Sequence, residues 1–249
     1  MFLGEPAPTQ ADLHFRIFGF PVRVHPFFWV VTLLLGMGGR AADPANTLVW
    51  VGVVFISILA HELGHAFMQR FYGGNPWITL YSFGGLASCR DCDRSPRSQI
   101  LISLAGPVAG FILAGLIVAV LYGLGRVRGF EWSLMPVNWM PFDPQYAMEH
   151  QKFSPRDTFV FDMLFVNIVW GLVNLLPVYP LDGGQIAREV FTLGNPRQGV
   201  VQSLQLSIGT AVLMAVYALT KEDFYVCLMF GFLAYGSFQA LQFYRNHWR

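Results

Sequence analysis

Three features of the 249-residue chain predict an all-α polytopic membrane protein, with about six transmembrane helices and short β segments at the N-terminus and after the second span. Charged residues make up 12% of the sequence, half of the roughly 25% carried by soluble domains, too few to cover a globule in water. Hydrophobic residues make up 54%. They gather into long runs, and three of these (residues 100–125, 200–220 and 224–244) hold no charge over about the 20 residues a helix needs to cross a bilayer. The formal net charge is +1, without a basic run, which excludes a nucleic-acid binder, and the apolar content excludes intrinsic disorder. With no linker, low-complexity tract or fixed-period repeat, residues 1–249 read as a single membrane domain.

In chain order, residues 1–12 are polar and acidic, with Glu5 and Asp12. They lack the basic-then-apolar start of a secretory signal, so the spans themselves are expected to direct insertion. Residues 13–25 alternate in β fashion around Gly19 and Pro21. Residues 26–39 are uncharged but short, a thin span or a re-entrant segment. Residues 47–72 are apolar up to Ala60 and then turn polar. Residues 76–87 are β-prone, and irregular backbone at membrane depth survives only against protein or in a wet cavity. Residues 159–178 are apolar except for Asp162, and residues 198–249 carry the last two spans. An even count of six spans puts both termini on one side, which collects ten of the sixteen Lys and Arg residues. The positive-inside rule makes that side cytoplasmic.

The chemistry concentrates in His61-Glu62-Leu63-Gly64-His65, at the end of the second span. On a helix, positions i and i+4 share a face, so both imidazoles reach one Zn²⁺ at about 2.0–2.1 Å. Glu62, one residue on, is placed to accept a proton from an attacking water. Three ionisable groups closing an apolar span are expensive to keep there, which argues for function over a polar helix end. Catalytic zinc takes a third protein ligand. Asp182, His25 and Asp162 are the candidates. Asp182 stands first, because Pro177 and Pro180 break the helix before it and Gly183 and Gly184 follow it; spacing alone weighs it evenly against an ordinary helix-ending loop. Asn167 and Asn174 lie seven residues apart on roughly one face. The first suits a buried amide bridging helices, and the second is also placed to donate to a developing oxyanion. Cys89 and Cys92 form a lone CxxC, read as two loop thiols rather than a metal or redox site. Cys227 reads as a small buried residue in the last span.

The histidine motif closing one span, with Asn174 through Gly184 closing a later one, resembles the site-2 protease family of intramembrane zinc metalloproteases. Residues 13–25 are similar to the family's short amino-terminal β segment, and Gly84-Gly85 and Gly106-Pro107 match its glycine pair and Gly-Pro span. The likeness covers roughly residues 13–190, in the manner of a minimal member without PDZ or CBS insertions. It implies one Zn²⁺ per chain held by His61, His65 and Asp182, with Glu62 as general base and Asn174 as the oxyanion or substrate-orienting group. It further implies that Trp77, Ile78, Thr79, Leu80, Gly84 and Gly85 receive an extended substrate by strand addition. The substrate would be another protein's transmembrane segment, cut in regulated intramembrane proteolysis, with the bilayer as the other partner and a prokaryotic inner membrane as the location. Gly110 stands where many members carry Asn. The competing reading is a catalytically silent, membrane-embedded zinc-binding relative that acts as a binding protein.

Overall fold

The computed structural model describes residues 5–40, 44–82, 84–133, 135–142, 144–150 and 153–247. Five of its helices are long and apolar enough to cross a membrane: Pro44–Phe71, Pro96–Gly123, Pro155–Asn174, Gln198–Thr220 and Phe224–Asn246. Pro26–Met37 is the shorter apolar helix, as the brevity of its run implies. The chain divides into two compact units, residues 1–92 with 108–171 and residues 93–107 with 172–249.

The first unit is built on a four-stranded sheet in the order β1 (Leu13–Ile17), β2 (Phe20–Val24), β3 (Trp77–Tyr81), β4 (Gly84–Ser88). Phe18 (φ 50°) and Gly19 (φ 82°) carry the β1–β2 turn; two left-handed central residues give the tight hairpin turn that matches strand twist. β2 runs parallel to β3, and β3 antiparallel to β4. A parallel pair requires a long crossover, which α1 (Pro26–Arg40) and α2 (Pro44–Phe71) supply. Alternation sends Phe20, Val22, Val24, Ile78 and Leu80 to one face, all at most 2% exposed, where they pack on Phe28, Val54, Leu59 and Ala66. Arg70, at the end of α2, lies over the Phe20 ring at 3.5 Å and donates to the Phe18 carbonyl. The hairpin is thereby fastened to the helix that carries the two histidines.

His25 is buried immediately before α1. Its backbone N–H donates to the Leu80 carbonyl, its Nδ1 accepts from Phe27 N–H, and its ring stacks on that of Phe27. Pro26 at the first helical position gives up no needed donor.

The remainder of this unit is the second half of α3 (Pro96–Gly123), a hairpin of β5 (Val127–Phe130) and β6 (Val137–Trp139), α4 (Pro144–His150), and α5 (Pro155–Phe165). The β5–β6 hairpin and α4 fill the long connection between α3 and α5. Ser154 caps α5, and the wholly buried Asp157 carboxylate accepts from Phe142 N–H and the Ser154 hydroxyl. A π-helical turn, Val166–Trp170, follows α5. Within it Asn167 donates to the Ser57 hydroxyl of α2 and to the Met163 carbonyl, the helix-bridging role its buried position implies. A Cβ on Gly110 would meet Asn167 Oδ1 at 3.4 Å, so α3 passes this amide closely.

The second unit holds the first half of α3 and α7 (Asp182–Gly194), α8 (Pro196–Thr220) and α9 (Phe224–His247). Val178, Ala211 and Phe230 form its buried core.

Residues 5–12 fold back over the sheet. Arg23 pairs with Glu5 (2.9 Å) and Asp12 (3.1 Å) and donates to the Pro6 carbonyl. Thr79 Oγ1 donates to Glu5 at 2.6 Å and Trp77 Nε1 at 3.3 Å. Burial pushes the Glu5 carboxyl up, but the Thr79 and Trp77 hydrogen bonds and the Arg23 charge outweigh it and leave it below the usual 4.5. A depressed carboxylate contributes stability above its unfolded value, and that contribution is lost as pH falls through the folded one. Residues 5–12 are therefore expected to stay docked at neutral pH and to loosen below pH 4.5, read as faster amide hydrogen exchange. Glu5→Gln should loosen them at neutral pH too.

Candidate metal centre

α2 is apolar through most of its length and carries His61, Glu62 and His65 in its second half. One helical turn separates the histidines, and their Nε2 atoms face each other at 3.1 Å with the rings 4.8 Å apart and 80° crossed. Two ligand atoms on a tetrahedral zinc, with bonds of about 2.0–2.1 Å, lie about 3.3–3.4 Å apart. The imidazole pair thus stands within a few tenths of an ångström of the spacing that the ion demands. Two nitrogen donors in a half-buried, partly apolar setting also suit zinc better than a hard cation.

Glu62 is 5% exposed and His65 8%. A Cβ on Gly85 would fall 2.3 Å from Glu62 Cγ and 2.5 Å from Glu62 Oε1. Only glycine lets β4 pass this close, so strand and carboxylate share one space. Tyr81, at the end of β3, lies within reach of the Glu62 charge. Burial pushes its hydroxyl up and the Glu62 charge adds to the shift.

Asp182 is the first residue of α7, and the segment before it is non-helical from Leu175 to Leu181, with a cis Tyr179–Pro180 bond. Cβ atoms on Gly183 and Gly184 would lie 2.1 Å from the Leu175 carbonyl oxygen and 2.6 Å from Tyr179 N. The glycines let the helix start pack directly on the preceding backbone. Ser207 accepts from Tyr179 N–H, and Ser237 donates to the Tyr179 carbonyl at 3.1 Å. The carboxylate is therefore presented from a pinned turn. Asn174 ends α6 (Gly171–Asn174). The other ligand candidates have different surroundings: Asp162 is wholly buried in α5, and His25 caps α1.

Two expectations are corrected. β3 is paired on both edges, and Ile78, Thr79 and Leu80 are wholly buried, so Trp77, Ile78, Thr79 and Leu80 have no open edge for another strand. The open edge on that side of the sheet is β4, with Gly84 and Gly85. Cys89 and Cys92 are not two free thiols but a disulfide. Bonding sulfur to sulfur removes both thiolates as metal ligands. The pair lies where a Gly74 Cβ would be, 2.1 and 2.5 Å from the two sulfurs. Sequence reading missed Gln69, one turn beyond His65, which donates to the Ala87 carbonyl of β4; its i+8 spacing from His61 was the available signal.

The model of peptidase family M50 matches residues 49–216, about two thirds of the chain. A zinc metalloprotease of Methanocaldococcus jannaschii is 24% identical over 90% of this chain and 59% of its own length. The stage IV sporulation protein FB of Bacillus subtilis is 25% identical over 88% of this chain and 65% of its own. The chain thus spans less than two thirds of either relative. Among solved structures, the site-2 protease from Methanocaldococcus jannaschii superposes with a TM-score of 0.59 at 22% identity, over 92% of this chain and 95% of that one. That likeness shows the fold.

His61→Ala and His65→Ala should each abolish zinc binding while leaving the helix content intact. Metal analysis and circular dichroism of detergent-purified protein check both.

Proposed function

Because the chain belongs to peptidase family M50, we propose that it is an integral-membrane zinc metalloprotease that hydrolyses peptide bonds in transmembrane segments of other membrane proteins, as in regulated intramembrane proteolysis. The observation that carries this reading is the pair of facing imidazoles, His65 buried and His61 half-buried, with the buried Glu62 beside them on a helix apolar enough to span a membrane. His61, His65 and Asp182 would hold one zinc per chain. When bound, zinc supplies a Lewis acid for the scissile carbonyl and lowers the pKa of the attacking water.

The remaining chemistry falls to the chain's own residues. Glu62 takes the proton of the attacking water and hands it to the leaving amine nitrogen. Gly85 gives the Glu62 side chain its seat against β4. Asn174 donates a hydrogen bond to the oxyanion that develops at the scissile carbonyl. A helical peptide bond is shielded by its own hydrogen bonds, so the substrate must be drawn out locally. The edge of β4 at Gly84 and Gly85 supports that step by offering main-chain partners to an extended segment. The distribution of Lys and Arg supports cytoplasmic termini, and this topology places the histidine motif at the cytoplasmic end of its span.

Glu62→Gln keeps the size of the side chain and removes the base. It should retain zinc and lose peptide hydrolysis by about 10²–10⁴-fold; unchanged turnover would sink the proteolytic reading. Asp182→Ala should lose most of the bound zinc, and zinc held equally by wild type and variant would show that another residue is the third ligand.

A further inference from the structure

We propose that Gln69 is a specificity-determining residue whose side-chain amide closes the strand-docking edge of β4 and accepts a hydrogen bond from a main-chain N–H of the bound substrate. This rests on the proteolytic reading above. Gln69 lies one turn beyond His65 and two beyond His61, on the same face of α2. It is 9% exposed. Its Nε2 donates to the Ala87 carbonyl at 3.1 Å, while its Oε1 is buried with no hydrogen-bond partner among the described residues. A buried acceptor without a donor is costly to maintain and calls for a reason.

The geometry of the sheet supplies one. The Leu80 carbonyl accepts from His25 N–H and so points away from β4. Strand alternation then turns Thr79 and Tyr81 toward β4, and their partners Leu86 and Gly84 toward β3. Gly85 and Ala87 are left facing the open edge. Gln69 already occupies the Ala87 carbonyl, as the first peptide group of a fifth strand would. Gly85 remains to pair with an incoming chain, directly over Glu62. Two residues along a strand cover about 6.6–6.8 Å. A segment paired at Gly85 therefore reaches Gln69 two residues later, where a main-chain N–H meets the orphaned Oε1. Gln69 would fix the register of the substrate, because it ends pairing at a set distance from the base.

The test uses the full chain in detergent and a fluorescein-labelled, 20-residue apolar peptide carrying a single N-methyl group at each successive amide. Binding is read by anisotropy and cleavage of the same peptides by mass spectrometry. In the wild type, two N-methyl positions two residues apart should each weaken binding about three- to tenfold, the first at the amide paired with Gly85 in every variant and the second at the amide that meets Gln69. Gln69→Leu should bind the parent peptide weaker by the same factor and be indifferent to the second N-methyl group. Gln69→Glu loses the donor to Ala87 but keeps the acceptor, and should keep the sensitivity. The second penalty persisting in Gln69→Leu would overturn the proposal, as would the lack of the second sensitive position, or of any binding, in the wild type. Binding with the expected pattern but no cleavage would sink the proteolytic reading and leave the role of Gln69 standing.

Discussion

The cost of keeping ionisable groups inside an apolar helix governs the first unit. His61, Glu62 and His65 lie at a depth where each charge must be held among partners, and much of the surrounding structure serves that need. The imidazoles face each other, and the carboxylate sits against the backbone of β4. The four-stranded sheet exists because β2 and β3 can bury one face on α2. Without that burial, β4 would have nothing to hold it beside Glu62.

The second unit solves the reverse problem, of keeping a carboxylate at the end of an interrupted helix without fraying. Leu175 to Leu181 leave helical geometry, and the cost is met by close backbone packing at Gly183 and Gly184 and by Ser207 and Ser237 on the Tyr179 peptide. The serines come from two long helices, so the turn is fixed by the most regular part of this unit. A fixed turn suits a ligand, since a metal rewards donors that need no rearrangement.

Much of this was legible from the residues. Uncharged runs mark spans because a bilayer leaves no alternative, and the spacing of His61 and His65 states their shared face. β alternation in residues 13–25 and 76–87 gave the strands. What could not be read was pairing: nothing local in Trp77–Tyr81 says that β2 will occupy one edge and β4 the other, so the segment expected to receive substrate proved to be the sheet interior. The cysteine pair was misjudged for a related reason. Its bonding depends on Gly74, fifteen residues earlier in the chain, leaving room for both sulfurs. The π-helical turn at Val166–Trp170 was not legible either, because it is a matter of backbone hydrogen bonding that apolar periodicity does not encode.

The parallel pairing of β2 with β3 has a temporal consequence. Both helices of the crossover lie between these strands, so a chain made from its N-terminus has the first hairpin in hand well before its partner appears. β3 can dock only after α2 has been emitted, and contacts between distant parts of a chain form late because loop closure must be overcome first. The histidine helix would therefore enter the membrane before the sheet that clamps it is complete. During that interval nothing from β4 yet lies against Glu62, so the strand edge beside this carboxylate is acquired only after the helix that carries it.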